Sequence, residues 1–281
     1  MLLLRTPRAR VLLPSLLLLA GSLTAGFALH RIAHALTADH ARSGRTDRKP
    51  VLVELFTSEG CSSCPPADAL LAQIQREQPV AAAEILALEE HVDYWDGLGW
   101  HDRFSSHDIT DRQSAYVRRF NLDSNYTPQM VVDGAAQFPG VNKAQALQAI
   151  AHAAQTPKLA LSLQALLLKG TRVNGQVGLP PSIPSGTELF TALVQPTATT
   201  SVMRGENGGH TLNHVSVVRA LRRIPLNHPG PQADFALDIP KDLIGGETRV
   251  VVFLQSKDQG LILAAASSPL PADPVHPKQK P

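Results

Sequence analysis

Val51-Leu52-Val53-Glu54-Leu55-Phe56-Thr57-Ser58-Glu59-Gly60-Cys61-Ser62-Ser63-Cys64-Pro65-Pro66-Ala67-Asp68 is the stretch on which the fold turns. Val51 to Phe56 is apolar except at Glu54, the pattern of a short strand covered on both faces. Pro65 and Pro66 open a helix, because proline is accepted in a first turn, and Asp68 stands where the helix dipole favours an acid. Leu70, Leu71 and Ile74 give that helix its buried stripe. Between strand and helix lie Cys61 and Cys64, the only two cysteines in 281 residues. A thiol held at a helix start meets unpaired backbone N–H groups and the positive end of the dipole, which favour the nucleophilic thiolate.

The chain opens with Arg5, Arg8 and Arg10 before an acid-free apolar run from Val11 to Ala28. Residues 1–35 therefore read as a signal peptide or an N-terminal membrane anchor, with small-residue cleavage points at Ala33-His34-Ala35 and, more loosely, Ala25-Gly26-Phe27. Export places the chain in the periplasm or outside the cell, with inner-membrane anchoring as the alternative. In such an oxidising compartment a cysteine pair is read first as a structural disulfide. A bridge between residues three apart, however, removes little entropy from the unfolded chain, so it suits a redox centre better than a staple.

Removing residues 1–35 takes away four arginines and no acid, so the 26 basic residues fall to 22 against 24 acidic ones. The sequence pI of about 8.6 thus reflects the leading segment. No basic stripe remains to neutralise a phosphate backbone, which excludes nucleic acid as a partner. With 43% hydrophobic and 18% charged residues, the remainder can bury a sizeable core.

Residues 36–50 are polar and aperiodic and read as a linker. Residues 51–156 alternate strand and helix: the stretch above, a strand near Glu84 to Glu90, an aromatic segment from His91 to Phe104, and a helix from Asp108 to Phe120. Thr127-Pro128 then leads a strand, and a helix from Lys143 to Ala154 closes the module. After Pro157 about seven short apolar or alternating segments, separated by Pro and Gly clusters, indicate an all-β sandwich-like domain over residues 157–270. Residues 271–281, with four prolines, read as a flexible tail.

The strand feeding Cys-x-x-Cys, the helix starting at the second cysteine and the Thr127-Pro128 before a strand together resemble the thioredoxin fold, here with a helical insertion. More narrowly, Phe56 to Asp68, His91-Val92-Asp93-Tyr94-Trp95-Asp96, Tyr126 to Gly134 and Arg204-Gly205-Glu206-Asn207-Gly208 resemble a secreted bacterial thioredoxin-like family catalogued as domain of unknown function 1223. The resemblance to thioredoxins implies a cis Thr127-Pro128 bond whose loop packs against the dithiol. The loop before the dithiol is one residue longer here than in thioredoxins. Gly60 replaces the tryptophan that precedes their first cysteine, and Ser62-Ser63 supply neither the proline nor the histidine that tunes the thiolate there.

In this scheme Cys61 attacks, Cys64 resolves, and Pro128 shapes the site. Glu54 stands at about the place of the buried acid that relays a proton to the second cysteine in thioredoxins; the competing reading puts its side chain at the sheet edge. Glu59 reads as exposed and solvated, and His101 and His107 as surface residues. Tyr126, Thr127 and Trp95 are candidates for contacting an unfolded substrate segment, although packing of the insertion explains the aromatics equally well. His91 follows a strand at the cysteines' end of the sheet. With Cys61 and Cys64 it would make a Cu(I) or Zn(II) site, against the reading in which it is hydrogen-bonded within the insertion.

The expectation is an exported thiol–disulfide oxidoreductase acting on cysteines of cell-envelope proteins through its Cys-Ser-Ser-Cys dithiol, with no cofactor beyond that disulfide. Two alternatives stand beside it. One is a copper-binding chaperone using Cys61, Cys64 and His91; the other is a non-enzymatic envelope interaction module with a structural disulfide.

Overall fold

The computed structural model of the chain describes residues 48–226 and 230–270. The expected leader, most of the linker and the C-terminal tail lie outside the described residues. Among the described residues no helix is long and apolar enough to cross a membrane.

The described residues form one compact unit. Its first half runs β1 (Lys49–Thr57), α1 (Pro65–Glu77), β2 (Ala83–His91), α2 (His107–Arg119), β3 (Gln129–Val132), β4 (Ala136–Pro139) and α3 (Lys143–Ala153). The second half runs β5 (Ser162–Lys169), β6 (Arg172–Gly178), β7 (Glu188–Ser201), β8 (Thr211–Ile224), β9 (Gln232–Asp238), β10 (Arg249–Gln255) and β11 (Ile262–Pro269), with one 3-10 turn at Lys241–Leu243. β1 takes in Lys49 and Pro50, so the linker ends earlier than the sequence suggests.

The expected boundary at residues 156 and 157 does not separate two sheets. Eight strands form one sheet in the order β11-β10-β7-β8-β2-β1-β3-β4, and β5-β6-β9 form a second. β2 runs parallel to β1, and β3 antiparallel to it. The outer edge of β2 is taken by β8 through a single register pair, Glu89 with Val217. Four of the strands expected in a separate sandwich therefore extend the N-terminal sheet. The sandwich-like arrangement survives only locally, where Val173, Val177, Phe235 and Leu237 of the small sheet pack on Leu189, Leu193, Val250 and Val252 of the large one.

Alternation along the strands sorts the core onto two faces. Val51, Val53 and Leu55 meet Ala67, Leu71 and Ile74 of α1 and Ala146 and Ile150 of α3. Leu52 and Phe56 face the other way, towards Ile109 and Tyr116 of α2, in a cluster that continues to Phe190, Val251 and Phe253. The same alternation carries polar side chains into both faces: Thr57, Glu89 and His91 lie on the α1 side, Glu54 and Glu90 on the α2 side. All five are buried.

Candidate functional site

Cys64 caps the N-terminus of α1, with Pro65 and Pro66 in the first helical turn. Its carbonyl accepts from the N–H groups of Ala67 and Asp68. Cys61 and Cys64 are joined as a disulfide, and the Cys61 Sγ lies 3.4 Å from the Ser63 hydroxyl. Ser62 and Ser63 are exposed, yet both cysteines have 0% accessible surface. Exposure therefore does not set Cys61, the expected attacker, apart from Cys64.

The cover comes from the other half of the chain. β7 and β8 form a long hairpin, and the loop between them, residues 202–210, reaches back over the motif. Asn207, itself buried, donates its side-chain amide to the carbonyls of Glu59 (2.9 Å) and Cys61 (3.0 Å). The Glu206 carboxylate accepts from the backbone N–H of Ser62 at 3.0 Å. Gly205, at φ +78°, lies so close to Trp100 that an added Cβ would stand 3.1 Å from the tryptophan Cβ.

Trp95 and the proline loop complete the surroundings. An added Cβ on Gly60 would lie 3.1 Å from the Trp95 Cβ, which accounts for a glycine beside Cys61. The Trp95 indole donates to the Thr127 hydroxyl at 2.9 Å, tying the insertion to the Thr127-Pro128 bond, which is cis. Gly140 is wedged between Ala67 of α1 and Pro128, with no room for a side chain. Pro128 thus stands near Ala67 in the first turn of α1, and Trp95 beside Gly60. Tyr126 turns away, its hydroxyl donating to Gln137 at 2.6 Å.

Glu54 is not brought to the dithiol. It is fully buried rather than at an edge, but on the face opposite α1, where Arg112 and the Tyr116 hydroxyl each reach it at 2.6 Å. The buried acid on the side of Cys64 is Asp68, one turn along α1, which accepts from the Thr57 hydroxyl at 2.7 Å. Burial, reinforced by the Glu89 carboxylate, pushes its pKa up to about 7. Its helical spacing of four from Cys64 could have marked it beforehand.

Glu59 is also corrected: it is fully buried, and one carboxylate oxygen accepts from the Trp100 indole at 2.7 Å. It belongs to a buried polar cluster on the α1 face. Nδ1 of His91 lies 2.7 Å from Asp102, whose carboxylate also accepts from the N–H groups of Glu59 and Phe104. Glu89 meets Nδ1 of His214 at 2.5 Å and accepts from the N–H of Val215 at 2.7 Å. Burial opposes charge on His91, but Asp102 and Glu89 outweigh it and hold the imidazole pKa well above its ordinary value. His214 is likewise raised, to about 9, by Glu59 and Glu89 against the effect of burial. Burial alone would raise Asp102; the His91 charge beside it lowers it to about 2.

His91 is thus hydrogen-bonded to the insertion, one of the two readings of it, and both of its nitrogens are directed at carboxylates rather than at the sulfurs. His101 and His107 lie at the surface, as expected. The sequence reading missed Asp102 and His214. His214 does carry a signal, since it stands in register with buried Leu212 and Ser216 along β8.

A structural-genomics crystal structure of an Agrobacterium tumefaciens protein is similar in fold, with a TM-score of 0.54 and 23% identity, covering 83% of this chain and 99% of that one. No curated protein matches the chain. The family described as "Protein of unknown function (DUF1223)" matches residues 52–255, and the chain belongs to it.

Proposed function

We propose that the chain is an exported thiol–disulfide oxidoreductase, with a thioredoxin-like N-terminal half, that acts on cysteines of cell-envelope proteins through Cys61 and Cys64. The observation that carries this reading is a disulfide closing a three-residue separation at the N-terminus of α1, whose first turn packs with the cis Pro128 about Gly140. The strand order β2-β1-β3-β4, with the dithiol following β1, supports the thioredoxin-like reading.

In the reducing direction, the Cys61 thiolate attacks one sulfur of a substrate disulfide and the substrate's other sulfur leaves as a thiolate. Cys64, having lost its proton, then attacks the Cys61 sulfur; the substrate leaves with both sulfurs reduced, and the Cys61–Cys64 bond re-forms. Two electrons pass to the substrate. In reverse, a substrate dithiol takes the bond. Either direction requires the 202–210 loop to move aside. The two buried hydrogen bonds of Asn207 contribute about 1–3 kcal/mol together, a cost that thermal opening can meet on a catalytic timescale.

The sealed sulfurs favour one second reading, a structural disulfide in an envelope interaction module. Equilibration of the full chain with a series of glutathione redox buffers, followed by trapping with a Cys64→Ser variant in the cell envelope, separates the two. A redox enzyme reaches a reproducible potential within the span of about −270 to −120 mV known for such dithiols, and Cys64→Ser accumulates mixed disulfides through Cys61. A disulfide that stays oxidised in every buffer, with no mixed disulfide captured, would sink the enzymatic reading.

A further inference from the structure

We propose that Glu89, His91 and His214 form a binding site for one divalent ion of the zinc type, which fastens β2 to β8 at the seam of the large sheet. One donor atom from each of the three lies within 4.8 Å of the others, and all three residues are buried.

Two of the three donor separations stand near those an ion needs, and the set as a whole would draw together on binding. Donors about 2.0–2.2 Å from a tetrahedral ion stand about 3.3 Å apart. Oε1 of Glu89 and Nε2 of His91 are already 3.4 Å apart. Nδ1 of His214, now 2.5 Å from the same Oε1, would open by less than about 1 Å on binding. Each ring is also aimed from behind. Asp102 holds the far nitrogen of His91 at 2.7 Å, and Glu59 faces the far nitrogen of His214 at 3.6 Å. Glu89 is fixed by the backbone N–H of Val215 on its other oxygen. Carboxylates behind ligating imidazoles set the tautomer and raise ligand basicity.

A second observation points to the same place. Nε2 of His91 is fully buried and makes no hydrogen bond, although it faces Glu89. A buried nitrogen that meets its carboxylate only in a long, poorly directed contact is costly, and an ion between the two improves on it. Phe104, Ala198 and Val217 form an apolar shell beside the site. Two imidazole nitrogens and one carboxylate oxygen suit Zn(II) better than Cu(I), which prefers thiolate.

The position gives the ion a structural task. β2 and β8 share one register pair, and Glu89 belongs to it. An ion held by two residues of β2 and one of β8 would therefore reinforce the sheet where its backbone pairing is thinnest. The ion would bind whether or not the dithiol is redox-active.

The test uses the full chain, stripped with EDTA and offered Zn(II) both when folded and during refolding from guanidinium, so that burial cannot hide the site. We expect about one zinc per chain and, at a hundredfold excess over Kd, a rise of about 5–10 °C in thermal midpoint. His214→Ala should lose the stoichiometric zinc, Asp102→Asn should weaken it about 10- to 100-fold, and the Cys61→Ser, Cys64→Ser double variant should keep it. If His214→Ala fails to fold, Co(II) in the unmutated chain decides: tetrahedral ligand-field bands without sulfur charge transfer support the site. Absence of stoichiometric metal by either route, or metal lost in the cysteine double variant but kept in His214→Ala, would overturn the proposal.

Discussion

Asn207 donates its side-chain amide to the carbonyl of Cys61, joining residues 146 positions apart in sequence. The same amide reaches the carbonyl of Glu59, so one side chain ties down two carbonyls at the start of the motif. The half of the chain without cysteines thereby covers the half that has them.

Asn207→Ala removes both tethers, each contributing about 0.5–1.5 kcal/mol, and should speed reduction of the Cys61–Cys64 disulfide by dithiothreitol about 5- to 150-fold. Alkylation of the released thiols, followed by mass, reads the rate. An unchanged rate would mean that the loop does not limit access.

Asp68 gives a pH dependence with a definite sign. Its folded pKa is raised from 3.8 to about 7, chiefly by burial. The folded chain therefore holds a proton that the unfolded chain has released, and this contribution to stability is complete at low pH and lost as pH rises towards 7. Asp68→Asn should flatten that slope and be the more stable chain at pH 7, by an amount on the order of a few kcal/mol. Urea titrations at pH 5 and pH 7.5 check this. A variant whose stability falls between those values as steeply as the parent's would place the titration elsewhere.

The strands and helices were legible because their cause is local. The unbroken apolar run inside Arg249 to Gln255 and the paired prolines at the start of α1 fix those elements within a residue or so. What β2 pairs with on its outer edge was not legible. Side-chain alternation reports faces, whereas edge pairing uses backbone groups that every residue carries. Hence β7, β8, β10 and β11 read as a separate sandwich when they extend the same sheet. The dithiol with Trp95, Thr127 and Pro128 could be assembled from the quoted motifs. The burial of Glu59 could not, because Trp100 and Asn207 cover it from 41 and 148 positions away. The adjacent acids Glu89 and Glu90 at the end of an apolar strand were an unused clue, since neighbours on a covered strand enter opposite faces and each needs a partner.

Gly134 should tolerate no side chain. It lies in the β3–β4 turn at φ +63°, and an added Cβ would stand 2.1 Å from the carbonyl oxygen of Gly260. Because the obstacle is backbone, it cannot rotate away, and Gly134→Ala should cost more than the roughly 1 kcal/mol of the conformational penalty alone. A change in the denaturation midpoint no larger than that of Gly170→Ala, where φ is +58° but nothing lies within 4 Å, would contradict the clash.

On the α2 face, Arg112 holds together groups from both halves of the chain. Its guanidinium donates to Glu54 at 2.6 Å, Gln255 at 3.1 Å and Gln259 at 3.0 Å, and packs 5.1 to 5.2 Å from the ring centres of Phe190 and Phe253. Burial, with Glu54 beside it, raises the pKa of Glu90 well above the carboxylate range, which leaves one negative charge, Glu54, to balance one positive. Arg112→Met keeps much of the packing but strands the Glu54 carboxylate in the core, a change that costs about 3–5 kcal/mol when a buried pair is broken. Adding Glu54→Gln to Arg112→Met should recover part of the loss at pH 7. A double-mutant cycle by urea denaturation measures the coupling. No recovery in the double variant would mean that Arg112 acts through packing on the two phenylalanines and not through its charge.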